Sequence, residues 1–272
     1  MSCGITNLGS CLVEKFFEFF LHLLNTPIGS LLKLISNLMI EPVNIQIFSS
    51  TWSIILYILS LFYGILLLIT GFRFILSGDS PEKREKAKKS LMNILIMMVL
   101  VQISFFLYSL ILDVVSALTS VIYNSIPPDF FLITFESSGG GIGLNIAMVL
   151  PYLSILLLTV IFLALRYICV GIGVIFFALG IFFYFIEPLE SYGKLILNYL
   201  GVLISLPFFY SIILLTSSKF LELDIFSEMK ILVMIGGFSL IIFLTLFLIT
   251  FVIIKAATAV AKPIKQVTSL IK

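Results

Sequence analysis

The stretch LNIAMVLPYLSILLLTVIFLALRYICVGIGVIFFALGIFFYFI, residues 144–186, carries a single charged side chain, Arg166, near its centre. The rest of the chain has the same character. Six runs of twenty or more residues hold no charged side chain: 42–72, 90–112, 137–165, 167–186, 195–218 and 231–254. A helix of about 20 apolar residues crosses the roughly 30 Å hydrocarbon layer of a bilayer. Apolar residues make up 61% of the chain, against roughly 45–50% in soluble domains, which indicates that its solvent is lipid.

The pattern of these runs decides between the two structures that can cross a membrane. Backbone groups in lipid must bond to one another, which leaves helices or a closed barrel. Barrel strands alternate over about ten residues, whereas these runs are continuously apolar, so we predict an all-α polytopic membrane protein with about six hydrophobic helices. The expected domains are an N-terminal amphipathic interfacial region over 1–50 and a transmembrane domain over 51–272. The expected spans are about 51–76, 90–112, 144–165, 167–186, 195–217 and 231–254.

The N-terminal region has the pattern of helices that lie in the membrane interface. Apolar residues of 12–24 share one helical face and charged residues share the other, and Pro27 is expected to end this helix before a weaker one begins. His22, the only histidine, falls on the polar face. Cys3 and Cys11 can pair if the N-terminus lies outside the cell, while Cys169 fits a small core residue. We expect the first span, rather than a cleavable peptide, to act as the membrane signal.

The sequence gives little support for an enzymatic function. A single histidine excludes a zinc-binding HExxH pair and leaves no serine–histidine pair within the spans. The glycines of 139–143 do not follow a strand and lack the lysine of a phosphate-binding loop. We therefore expect no catalytic residue, no metal site, no cofactor and no enzymatic activity.

The strongest charge cluster follows the first span. Ser80 is expected to cap a new helix whose first residue is Pro81, and five basic residues follow within nine positions: Lys83, Arg84, Lys86, Lys88 and Lys89. Basic loops stay in the cytoplasm, which places this turn inside and the N-terminus outside. The same residues form a candidate docking turn for a partner protein, the alternative being that they only fix the topology.

The C-terminal tail conflicts with six full crossings. Lys255, Lys262, Lys265 and Lys272 favour the cytoplasm, yet six crossings from an outside N-terminus would leave them outside. One long tilted helix within 144–186, followed by a half-crossing segment, would return the tail to the cytoplasm. Arg166 would then be a candidate pore or cavity residue, because a charge within the bilayer lines a polar cavity or pairs with another group. Alternatively its side chain extends to the interface.

Two stretches resemble known membrane subunits. One runs from Tyr63-Gly64 to Ser90-Leu91 and includes Gly78-Asp79-Ser80-Pro81; it resembles a helical hairpin of type IV secretion membrane subunits. The other is similar to the region after the outer loop of TrbL-type polytopic channel subunits, including those of crenarchaeal DNA-import systems. Its residues are Leu165-Arg166-Tyr167, Gly180, Glu187-Pro188, Tyr192-Gly193-Lys194 and Pro207-Phe208.

The resemblance implies a channel or scaffold subunit of a DNA-transfer apparatus in the cell (cytoplasmic) membrane. It implies as partners small two-span membrane subunits and a cytoplasmic DNA-translocating ATPase, with DNA as the transported substrate and a homo- or hetero-oligomeric assembly. A solute transporter or permease is the main alternative, since Pro151, Pro207 and Gly236-Gly237 can interrupt helices as transporters require. A purely structural membrane anchor is a third possibility.

Overall fold

The fold, described by a computed structural model, is almost entirely helical. The backbone is described for residues 8–76, 80–133, 142–227 and 229–270, and the side chains for 19, 23, 25–76, 80–128, 130–133, 148–226 and 229–255. Eight helices lie in these ranges: α1 (Leu8–Ile40), α2 (Ser49–Leu76), α3 (Pro81–Gln102), α4 (Ser104–Tyr123), α5 (Ile142–Tyr184), α6 (Glu190–Phe220), α7 (Asp224–Ser227) and α8 (Lys230–Leu270). Short 3-10 turns occupy Ile45–Phe48, Pro128–Phe131 and Glu187–Leu189.

Five helical segments of the described chain are long and apolar enough to cross a membrane. They are Ile45–Leu76, Ser104–Tyr123, Met148–Tyr184, Glu187–Phe220 and Lys230–Lys255. The predicted fold class, a polytopic all-α membrane protein, is thereby confirmed.

The predicted division into spans 144–165 and 167–186 is wrong, because α5 runs unbroken through Arg166 over 43 residues. Arginine is among the better helix formers, and no glycine or proline next to it favours a turn. At 1.5 Å per residue, α5 is about 64 Å long. The length of α5 therefore exceeds the thickness of the hydrocarbon layer, and the chain does not reverse direction at Arg166.

The predicted span 90–112 is also divided differently. The helix begins at Pro81 with Ser80 as its N-cap, as predicted, although the Ser80 side chain makes no capping hydrogen bond. It is interrupted at Ile103, whose dihedrals leave the helical range at φ −91° and ψ 3°. The apolar segment long enough to span is α4, Ser104–Tyr123.

Helix α1 continues through Pro27, where the sequence predicted an end. Its second half is packed, since Ile28, Ile35 and Met39 are buried. The Asn25 side chain donates to the carbonyl of Ile133 at 3.2 Å, so α1 is tied to the loop after α4. The interfacial position of residues 1–50 stays a prediction. The proposed Cys3–Cys11 pair and the His22 side chain lie outside the described residues.

The chain divides into two compact units. Unit 1 comprises Met1–Glu41, Ser116–Leu165 and Pro207–Thr245. Two tyrosines in its core have their hydroxyls satisfied, as buried hydroxyls require. Tyr152 donates to the carbonyl of Phe131 at 3.1 Å, and the hydroxyls of Tyr210 and Thr245 are 2.6 Å apart.

Unit 2 comprises Pro42–Val115, Arg166–Leu206 and Leu246–Lys272. Its core is an apolar cluster contributed by α2, α3 and the second half of α5: Leu59, Tyr63, Ile94, Met97, Val101, Ala178, Ile181 and Phe182. Near the interruption at Ile103, the Trp52 indole donates to the Ser104 hydroxyl at 3.0 Å. Apolar packing thus holds α2 against α3 and α5, and a polar contact joins α2 to the beginning of α4. Unit 2 contains both the basic turn and Arg166.

Candidate functional site

Residues of the basic turn line two clefts that share no lining residue. All five predicted docking residues are exposed, but they do not form one patch. Lys83 and Lys86 line one cleft, Arg84 and Lys88 line the other, and Lys89 is among the lining residues of neither. The spacing explains this division, because positions three or four apart on a helix share a face.

The first cleft, which we call the Arg73 cleft, has a volume of about 490 Å³. Arg73 approaches from the last turn of α2, and Glu187 from the turn between α5 and α6. The full lining is Arg73, Leu76, Lys83, Lys86, Ala87, Ser90 and Glu187. Two chain reversals, α2–α3 and α5–α6, therefore lie at the same end of unit 2.

The second cleft, which we call the Phe74 cleft, has a volume of about 700 Å³. It is lined by Phe74, Ser80, Pro81, Arg84, Glu85, Lys88 and Leu91. The Arg84 guanidinium lies 5.8 Å from the centroid of the Phe74 ring, within cation–π range. The cations of the Phe74 cleft thus have the Glu85 carboxylate and the Phe74 ring as neighbours.

Arg166 lies deep within unit 2 and has an accessible surface of only 8%. Its Nε donates to the carbonyl of Leu203 at 2.8 Å and its Nη2 to the carbonyl of Ile204 at 3.3 Å. Both acceptors belong to the backbone of α6. The charge predicted for a cavity or partner is therefore bonded to a neighbouring helix of the same chain, while its role in a pore stays a prediction.

Pro207 explains why the Leu203 carbonyl of α6 is free. In a regular helix the N–H of residue 207 would bond the carbonyl of residue 203, but proline has no N–H and its ring displaces that carbonyl. A membrane supplies no water to replace the missing donor. The Arg166 guanidinium supplies it, and the adjacent Ile204 carbonyl accepts a second bond. From the sequence alone, Arg166 and Pro207 are separate features. The signal that would have paired them is a lone cation in one span and an interior proline in another.

Two further close contacts connect α5 with neighbouring helices. Tyr108 donates its hydroxyl proton to the carbonyl of Val170 at 2.6 Å, one turn after Arg166. Towards the α5–α6 turn, a Cβ on Gly193 would lie 2.8 Å from the carbonyl oxygen of Gly180 and 2.6 Å from the Cα of Tyr184. Both are closer than normal contacts, so Gly193 lets the two helices pack backbone to backbone.

The remaining candidate chemistry is sparse. Within the described ranges, no three histidine, cysteine or acidic side chains come together in a way that could hold a metal ion. Cys169 is exposed on α5, so its interpretation as a core residue is wrong. Lys255 lies 4.7 Å from the Phe251 ring, whereas the side chains of Lys262, Lys265 and Lys272 lie outside the described residues.

Comparison with known families gives one match. Residues 45–111 match the type IV secretion system pilin family, a segment that is about a quarter of the chain and contains α2, α3 and the beginning of α4. No curated protein and no solved structure matches the chain. The hairpin is thus similar to those of type IV secretion pilins, whereas α1 and α5–α8 lie outside the matched segment.

Proposed function

We propose that this protein is a membrane subunit, a channel or a scaffold, of a DNA-transfer apparatus related to type IV secretion. DNA would be the transported substrate, and a separate cytoplasmic ATPase would supply the energy. The observation that carries the proposal is that the family match and the sequence resemblance fall on the same hairpin. The pilin-type segment 45–111 is the helical hairpin whose turn carries the five cations, and the same hairpin supports the sequence resemblance.

The proposed orientation follows from the basic turn. With this turn in the cytoplasm, the α5–α6 turn is also cytoplasmic, because both border the Arg73 cleft. If α2, α3–α4, α5, α6 and α8 each cross once, the N-terminus lies outside and the tail lysines lie inside. Five crossings of the cytoplasmic membrane remove the conflict that six crossings created.

The proposed partners follow from the same hairpin. Small two-span subunits of such machines consist of a comparable hairpin, which makes side-by-side packing with α2 and α3 feasible in a homo- or hetero-oligomer. The matched region is embedded in a larger polytopic chain, as the resemblance to compact crenarchaeal DNA-import subunits implies. We assign no catalysis and no cofactor to this chain, so nucleotide hydrolysis belongs to the ATPase.

In a solute transporter, Arg166 would be the group available to bind an anion near a broken helix. Instead, the guanidinium donates one hydrogen bond to the Leu203 carbonyl that Pro207 frees and a second to the adjacent Ile204 carbonyl. This favours a structural function for the pair over a solute site, and hence an assembly subunit over a permease.

Capture of the assembly tests the proposal. A tagged copy expressed at native level should, after membrane crosslinking, co-purify with a DNA-translocating ATPase and with two-span membrane subunits. An untagged strain and a tagged unrelated polytopic protein are the controls. Recovery of the chain with neither class of partner would contradict membership of a DNA-transfer apparatus.

A further inference from the structure

We propose that the Arg73 cleft binds the phosphate of an anionic phospholipid headgroup, with the acyl chains lying against the end of α2. This proposal does not depend on DNA transfer, although Lys83 and Lys86 also belong to the candidate docking turn. The ligand class is a phosphodiester lipid whose headgroup carries one negative charge.

The charges of the cleft favour an anion. Arg73, Lys83 and Lys86 face a single carboxylate, Glu187. Among the described residues, none of these three cations forms a hydrogen bond or an ion pair, whereas Lys194 pairs with Glu190 and Lys219 with Glu222. Like charges around one cleft repel one another, and a bound phosphate relieves that repulsion through charge-assisted hydrogen bonds.

The position of the cleft favours a lipid as the source of the phosphate. Arg73 and Leu76 belong to the last turn of the candidate span Ile45–Leu76, so the cleft opens where that span ends. Leu76 and Ala87 give it an apolar wall. Ile75 and Leu76 are 75% and 80% exposed, which offers a surface for acyl chains. Its volume of about 490 Å³ is in the range of small-molecule sites, roughly 300–1,000 Å³.

Glu187 gives the site its selectivity. It comes from the α5–α6 turn, outside the pilin-type segment, so the hairpin alone cannot form this cleft. A carboxylate beside the phosphate repels a second negative charge and accepts hydrogen bonds from a hydroxylated headgroup. We therefore expect a singly charged phosphodiester such as phosphatidylglycerol to bind better than phosphatidic acid, a phosphomonoester.

The test is lipid binding to the purified full chain in a neutral detergent, measured by native mass spectrometry. Phosphatidylglycerol should bind and phosphatidylcholine should not compete with it. Replacing Arg73, Lys83 and Lys86 by Gln should weaken phosphatidylglycerol binding about 100-fold, since each cation near anionic lipid contributes roughly a fivefold effect. Glu187→Gln should raise the affinity for phosphatidic acid.

The matched control removes the same charge from the same turn. Replacing Arg84, Lys88 and Lys89 by Gln should change phosphatidylglycerol binding less than about threefold. Equal losses in the two triple variants would indicate general attraction and overturn the proposal. So would equal binding of phosphatidylcholine, or displacement of the lipid by millimolar inorganic phosphate, which would identify a free-anion site. An unchanged affinity of the Glu187→Gln variant for phosphatidic acid would remove the assigned selectivity.

Discussion

Arg166 places a charge within one candidate membrane helix and Pro207 removes a backbone N–H from another, and each compensates for the defect of the other. A cation at the centre of a span costs about 2.5–3.5 kcal/mol in insertion measurements, and an interior proline costs about 3 kcal/mol in a helix. The Arg166 guanidinium donates two hydrogen bonds to the carbonyls of Leu203 and Ile204, just before Pro207. The effects of replacing Arg166 and Pro207 on stability should therefore be strongly non-additive.

The first prediction is a coupling between these two residues. Arg166→Leu leaves the Leu203 carbonyl without a donor, but only while Pro207 is present, because Pro207→Ala restores the missing N–H. We expect a coupling free energy of about 1–2 kcal/mol, the upper part of the range for hydrogen bonds between membrane helices. The measurement is the free energy of unfolding of both single variants and the double variant in mixed micelles.

The control for this cycle is Arg166→Lys, which keeps a cation and should retain part of the stability. In cells, DNA transfer should fall with Arg166→Leu and persist in part with Arg166→Lys. Additive effects of Arg166→Leu and Pro207→Ala would show that the guanidinium does not replace the donor that the Leu203 carbonyl loses at Pro207.

The second prediction concerns Gly193. Gly193→Ala places a Cβ against the backbone of Gly180 and Tyr184, which cannot move as a side-chain tip can. We expect a loss of about 1–3 kcal/mol, as for other overpacked sites, measured as a lower melting temperature in detergent. Gly201→Ala on the same helix is the control, since nothing lies within 4 Å of its added Cβ. An unchanged melting temperature for Gly193→Ala would mean that the two helices are not in backbone contact.

At the scale of elements, the sequence predicts the α2–α3 hairpin well because its signals are local. Ser80, Pro81 and the charged residues after them mark a helix start without reference to the rest of the chain. The extent of α5 is harder to predict from the sequence. A charged residue in an apolar run suggests a boundary, and only the tertiary contact with α6 makes its burial favourable. The acceptors of Arg166 are backbone atoms 37 and 38 positions away, which composition and spacing do not reveal.

The third prediction separates docking from topology at the basic turn. Replacing Lys83, Arg84, Lys86, Lys88 and Lys89 by Gln should weaken co-purification with the ATPase if the turn binds that partner. The measurement is the ratio of ATPase to tagged chain after crosslinking, with insertion orientation checked in parallel. Full recovery of the ATPase in a variant of unchanged orientation would rule out docking at this turn.

At the scale of the whole molecule, α5 as a single helix lowers the expected number of membrane crossings from six to five. The distribution of charged residues has to agree with that number. An odd number of crossings brings the 78–89 turn and the tail to the same side, which the distribution of lysine and arginine favours. The sequence defines this conflict but does not resolve it. Its resolution requires the helix to continue through Arg166, which the hydrogen bonds from Arg166 to the α6 backbone make favourable.

The fourth prediction is the pattern of accessibility across the membrane. In a variant without Cys3, Cys11 and Cys169, a single cysteine at 129 should react with an impermeant thiol reagent added to intact cells. Single cysteines at 84 and 266 should be protected until the membrane is opened. Labelling of position 266 from outside would contradict five crossings and require a sixth.

DNA exchange in a strain that lacks the gene tests the proposed function most directly. We expect transfer of chromosomal markers between cells to be abolished, growth on defined solutes to be unchanged, and transfer to return when a plasmid supplies the chain. These outcomes follow if the protein is a required membrane subunit of the DNA-transfer apparatus. Normal marker transfer in the deletion strain, accompanied by a growth defect on one nutrient, would contradict this function and identify a solute transporter instead.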